Sequence, residues 1–374
     1  MFNIHDLSRN ACMLKGKLAH QGYDWWWHSF TAVNRLTQEE KPFFIEFFVC
    51  NPAIAEEAPT FGQHPVNPKK PSYLMVKAGC WKTPMQLHRF VPWKDITLKA
   101  DAPYSIQADD CFCSDTMTYG CVSVTGQQAE DHPEWMCDAG TIEWNLTISK
   151  ELAFHVGYGA GKLFRDLNAF EMYWHAEGMK SMYEGTVTLN GEVYDVIRDR
   201  SYGYADKNWG SNFTSPWIWL SSCSMTSKLT GKKLENSVFD IGGGRPKVFG
   251  VALDRKLLGA FWYEGEEYEY NFSKFWTGVK TVFDAKETED RIVWDITQEN
   301  TNSVMETHIE CFKKDMLLVN YESPDGKKRH NRLWNGGNGT GTIRLYKKND
   351  KNRTLIDEIL CDHVGCEYGE YDSK

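Results

Sequence analysis

The sequence holds no apolar run long enough to cross a bilayer as a helix. Its richest stretch, residues 43–49, is strand-length and is broken by Glu46. The opening residues lack the continuous apolar core of an export signal, and the eleven cysteines lack framework spacing, so reduced thiols are expected. Basic residues are in deficit: Lys+Arg 42 against Asp+Glu 51 gives a net charge of −9, which argues against a nucleic-acid partner or adsorption to anionic lipid. No G-x-G-x-x-G unit stands between a strand and a helix, so a nucleotide cofactor has no support. The run Gly242-Gly243-Gly244-Arg245-Pro246 lacks the Gly-Lys-Ser/Thr ending of a phosphate loop and reads as a turn. A G-x-S-x-G elbow is absent too, against a serine hydrolase. Cys111-Phe112-Cys113 and the Cys361…His363…Cys366 cluster have no matched pair at zinc spacing, so no metal is expected. These absences leave a soluble cytoplasmic protein without a metal or other cofactor.

What is present is aromatic. Phe, Trp and Tyr make up 14% of the chain, including 15 Trp, and hydrophobic residues 41%, which excludes disorder. Short runs rich in Val, Ile, Thr and aromatics recur between Gly, Asn, Asp and Pro, as at 25–32, 43–49, 73–81, 118–124 and 141–149. Eleven more follow between residues 185 and 360. Residues 141–148 alternate cleanly, which predicts a strand with one face buried. Asn190-Gly191 between two such runs predicts a tight hairpin. Helical periodicity is scarce, with one weak candidate at 162–172. Trp25-Trp26-Trp27 before strand 43–49 parallels Trp217-Ile218-Trp219 before residues 238–241, which divides the chain into 1–211 and 212–374. The fold class is all-β, two antiparallel barrels or sandwiches.

The densest chemistry lies between Phe170 and Ser222. Aromatic walls with a few placed polar groups describe an apolar ligand pocket, and a carboxyl among aromatics has its charged form disfavoured. Such an acid can donate a proton near neutral pH. Asp206 is the first candidate, with Glu177 and His175 behind it. Against this stands a structural alternative, in which D-x-N-W-G is an Asx-type turn followed by a buried Trp. His28, His88, His155 and His175 are, by default, satisfied structural groups.

GYADKNWG at 203–210, with WHAEGM at 174–179 and SPWIWLSS at 215–222, resembles the tocopherol cyclase family. That family is similar to bacterial carotenoid 1,2-hydratases, which share the D-x-N-W-G form. GYDWWWHSF at 22–30 and FFIEFFVCNP at 43–52 resemble its opening, although Trp26, Trp27 and His28 depart from it. The resemblance implies two lipocalin-like β-barrel domains and a hydrophobic, prenylated or terpenoid ligand. It implies an acid that protonates a prenyl alkene and an oxygen nucleophile that captures the cation. Asp206 inherits the proton-donor role. Trp174, Tyr204 and Trp209 would face the cation, with Asn208, Trp217, Trp219 and Trp27 as further ligand contacts. The expected activity is cyclisation of a prenylated phenol or quinol to a chroman, an isomerisation without a cofactor. The alternatives are an isoprenoid hydratase and a non-enzymatic carrier. Exposed apolar strands leave a homodimer open.

Overall fold

Residues 141–148 lie, as their alternation predicts, in a strand spanning Gly140–Phe154. Ile142, Trp144, Leu146 and Ile148 are buried, while Glu143, Asn145 and Thr147 are exposed. The computed structural model describes residues 6–62, 69–155, 169–248, 251–252, 254–327, 329–349 and 352–370. Most of the helical candidate at 162–172 lies outside these, and Met172 already begins a strand. The described residues are nearly all β and form two compact units. The first holds residues up to His155, Glu171–Phe213 and Val319–Asn331; the second holds 169–170, Thr214–Leu318 and Arg332 onward.

Twelve strands build the first unit: β1 (Tyr23–Asn34), β2 (Glu40–Cys50), β3 (Tyr73–Cys80), β4 (Met85–Val91), β5 (Ile96–Lys99) and β6 (Ser105–Ala108), then β7 (Cys111–Ser114), β8 (Met117–Val124), β9 (Gly140–Phe154), β10 (Met172–Leu189), β11 (Glu192–Val196) and β12 (Gly203–Gly210). They pair antiparallel in the order β4-β3-β2-β1-β11-β10-β9-β8-β7-β6-β5, with β12 bonded to both β1 and β10. β4 packs beside β8, which closes a lipocalin-like barrel. The Asn190-Gly191 turn joins β10 to β11 with φ of 50° and 89°, as the dipeptide requires. Cys111 and Cys113 both point inward from β7.

Two faces of this sheet are buried, which decides where chemistry sits. Trp26, His28 and Phe30 of β1 meet Tyr104, Cys113 and Tyr183 across the curl, so their face lines the barrel interior. Tyr23, Trp25 and Trp27 alternate with them and point the opposite way. The interior is filled by side chains, among them Trp26, Phe43, Phe47, Trp144 and Tyr183.

Among the described residues an antiparallel half-barrel of eleven strands lies mostly in the second unit, among them β13 (Trp217–Ser222), β14 (Ser224–Ser227) and β15 (Val238–Gly244). β13 pairs with β15 on one side and with the strand Asn352–Gly369 on the other. Ile218, Leu220, Phe239, Ile241, Phe261 and Trp294 belong to its core cluster.

Candidate functional site

GYADKNWG is a strand, not an Asx turn, and all eight of its residues are buried. Its glycine end is dictated by close approach: a Cβ on Gly210 would stand 2.1 Å from the carbonyl oxygen of Glu171. Within the strand, pleating sends Asp206 and Asn208 to the outer face and Lys207 and Trp209 to the interior. Register then fixes the neighbours. Tyr204, Asp206 and Asn208 stand opposite Ser29, Trp27 and Trp25 of β1, and Asn208 stands opposite Trp174 of β10.

Three donors converge on Asp206 from three strands. Trp174 Nε1 donates to Oδ2 at 2.9 Å, the Tyr204 hydroxyl to Oδ2 at 3.3 Å, and Trp25 Nε1 to Oδ1 at 3.3 Å. The residue is only 8% exposed. Beside it, Asn208 Oδ1 accepts from the Tyr23 hydroxyl at 2.7 Å, and Asn208 Nδ2 is buried without a partner. Trp27 stacks on Phe44 at 4.7 Å, and Trp25 lies in a stack with Tyr23, Phe213 and Tyr321. The result is a carboxyl framed by indole and phenol rings, with one amide donor unused next to it. An unpaired buried donor is costly, which singles out Nδ2 among the polar atoms of this cluster.

The other expected site residues fall elsewhere. His175 and Glu177 project into the barrel interior, across the sheet from Asp206. There Lys150 Nζ bridges Glu177 at 2.6 Å and Asp115 at 3.0 Å, Asn10 Nδ2 donates to Asp115, and Asn10 Oδ1 meets His175 Nε2 at 3.0 Å. Glu177 sits at a β-bulge around Gly178, where a Cβ would collide with Ser181 Oγ at 2.1 Å. Burial pushes Glu177 up to about 7, with the positive charge of Lys150 opposing it and Asp115 adding to it. Burial, then the neighbouring His155, holds His175 well below the usual imidazole range, so it is neutral. Trp209 stacks on Tyr173 and lies under Lys207 Nζ, 4.9 Å from its ring centroid. Lys207 is ion-paired with Asp24, both fully buried. Trp217 and Trp219 belong to the second unit. Of the expected set, Trp27, Trp174, Tyr204, Asp206 and Asn208 share one face.

Sequence reasoning missed Trp25, Tyr23 and Tyr321. Trp25 was recoverable, since choosing Trp27 on a strand implies its i−2 neighbour. No local signal pointed to Tyr321. Among the described residues no group of three or more Cys, His, Asp or Glu is arranged to hold a metal.

A family model described as tocopherol cyclase-like matches residues 111–370. No curated protein matches the chain. Among solved structures, CghA in complex with Sch210972 is 10% identical, with a TM-score of 0.45, covering 95% of this chain and 90% of that one. Kievitone hydratase from Nectria haematococca is 11% identical, with a TM-score of 0.40, covering 97% and 96%. These identities are too low to transfer an activity.

Proposed function

Since the chain belongs to the tocopherol cyclase-like family, we propose that it cyclises a prenylated phenol or quinol to a chroman by acid addition to the prenyl alkene. The observation that carries this reading is the Asp206 carboxyl, held by donors from β1, β10 and β12 on an aromatic face.

Asp206 transfers its proton to the less substituted alkene carbon. A C–H bond forms, the π bond breaks, and a tertiary carbocation results. The three donors steady the carboxylate as its charge develops, in a site where little water competes. The faces of Trp25, Trp27 and Trp174 attract the cation. Asn208 Nδ2 orients the phenol oxygen, whose lone pair closes the C–O bond. The phenol proton returns to Asp206, so the acid is regenerated and the product is an isomer of the substrate. Only protons move, and the step needs no electron carrier.

The test is incubation with a panel of prenylated hydroquinones, followed by chromatography and mass analysis. A product of unchanged mass, lost in Asp206→Asn, is the expected result. A gain of one water carrying oxygen-18 from solvent would move the reaction to hydration. Unchanged ligand, tightly bound, would leave a carrier.

A further inference from the structure

Val319–Asn331 belongs to the first unit, although the chain on either side of it lies in the second. It is fastened at three points. Asn51 Nδ2 donates to the Pro324 carbonyl at 2.7 Å, Gly62 N donates to Glu322 Oε2 at 3.2 Å, and the Tyr321 hydroxyl reaches both oxygens of Glu46 at 3.1 Å. The last anchor is unusually stiff. Glu46 is paired with Lys77 at 2.9 Å, both are fully buried, and Lys77 Nζ stands 4.1 Å from the centroid of the Tyr321 ring. A desolvated ion pair cannot drift without exposing an uncompensated charge, so it fixes what is bonded to it.

Tyr321 passes that rigidity on. Its ring lies flat against Trp25, with centroids 5.4 Å apart and planes 16° from parallel, and it stacks also on Phe48 and Phe213. Trp25 is itself only half-buried, and its indole N–H is the donor to Asp206 Oδ1. A bond of 3.3 Å is near the limit of useful length and weakens quickly if the ring tilts.

We propose that Tyr321 is a positioning residue for the acid, acting through Trp25, and that the strand segment it rides on, anchored to Glu46 across 275 residues of sequence, completes the site. This rests on the reading of Asp206 as proton donor. Packing alone would make Tyr321 important for stability and irrelevant to Asp206.

Two variants separate these roles. Tyr321→Leu removes the ring; Tyr321→Phe keeps the ring and loses the Glu46 anchor, and serves if the first does not fold. The indole N–H of Trp25 is followed in protein labelled with ¹⁵N-tryptophan and assigned with Trp25→Phe. In parallel, kcat, KM and the pH profile are measured on a prenylated hydroquinone. In Tyr321→Leu the Trp25 resonance should move upfield, in the direction expected of Asp206→Asn, which weakens the acceptor. With it kcat should fall about tenfold with KM within about twofold, and the ionisation limiting kcat should move to higher pH, since the carboxylate loses a donor. Tyr321→Phe should show the same changes at about a third of the size or less. An unmoved Trp25 resonance overturns the proposal. So does a moved resonance with kcat and the pH limb unchanged. If the wild-type protein turns over none of the hydroquinones, the acid reading fails, and the resonance alone decides whether Tyr321 sets Trp25.

Discussion

In the second unit the indole of Trp219 donates to Asp240 at 3.0 Å and that of Trp217 to Glu367 at 2.6 Å, while in the first the indoles of Trp25 and Trp174 converge on Asp206. Both arrangements stand on the sheet face turned away from the unit's own core. In the second unit Ile218 and Leu220 point into the core cluster and Trp217, Trp219 and Ser221 point away, with Ser221 opposite Asp240 and Trp219 opposite Glu367. The recurrence has a simple cause. A buried indole needs an acceptor for its N–H, and a carboxylate is a strong one. An indole–carboxylate pair is therefore a packing solution that either half can use, and it says little about function alone. What sets Asp206 apart is its setting. Three donors from three strands meet one carboxyl, and the Asn208 amide beside it keeps a buried donor unpaired. Glu367 accepts from the Asn335 amide as well as from Trp217, at 2.6 Å each.

The sharpest way to break this contrast is to neutralise one carboxyl in each unit. Asp206→Asn should lower turnover at least about 10³-fold with the fold intact by circular dichroism. Glu367→Gln should leave kcat within about threefold. Comparable losses in both would remove the distinction between acid and packing partner. Stability should divide the units differently. Asp24→Asn strands the Lys207 ammonium in the interior of the first barrel and should cost about 3–5 kcal/mol in urea unfolding. Trp219→Phe removes one neutral donor from Asp240 and should cost about 2 kcal/mol.

Much of the fold was legible because strands with one wet face alternate, as β9 does, and because Asn190-Gly191 admits few other turns. Trp25, Trp217 and Trp219, which the sequence parallel paired, each donate an indole N–H to a carboxylate. β12 was readable as a motif and not as a strand. Every one of its positions is buried, so the hydrophobic pattern has no period to detect. The same double burial explains why Asp206 was grouped with His175 and Glu177. Sequence spacing places acids near one another, but it does not say which face of a sheet lines the barrel when both are dry. Tyr321 was beyond reach for another reason: its contact with Glu46 is made by topology, not by neighbours in the chain.

A last contrast separates the two faces of the first sheet by pH. Glu177, in the interior, is raised by burial from the usual 4.5 to about 7, so the folded state holds its proton more tightly than the unfolded chain does. Its contribution to stability is full below pH 4.5 and is lost as pH rises through 7. The loss amounts to up to about 3 kcal/mol. Buried histidines act in the opposite sense. Burial lowers His28 to about 3 and also lowers His88 and His175, so each favours folding above 6.5 and withdraws that support as pH falls. The raw pH profile of stability therefore mixes opposed slopes, and the informative quantity is the difference between wild type and Glu177→Gln. Measured by urea unfolding from pH 4.5 to 8, the variant should gain relative to wild type as pH rises and level off above 7. Its turnover should hold the wild-type pH profile, because Glu177 lies across the sheet from Asp206. A flat stability difference would mean that Lys150 keeps Glu177 ionised throughout, and a displaced activity profile would place Glu177 back in the chemistry.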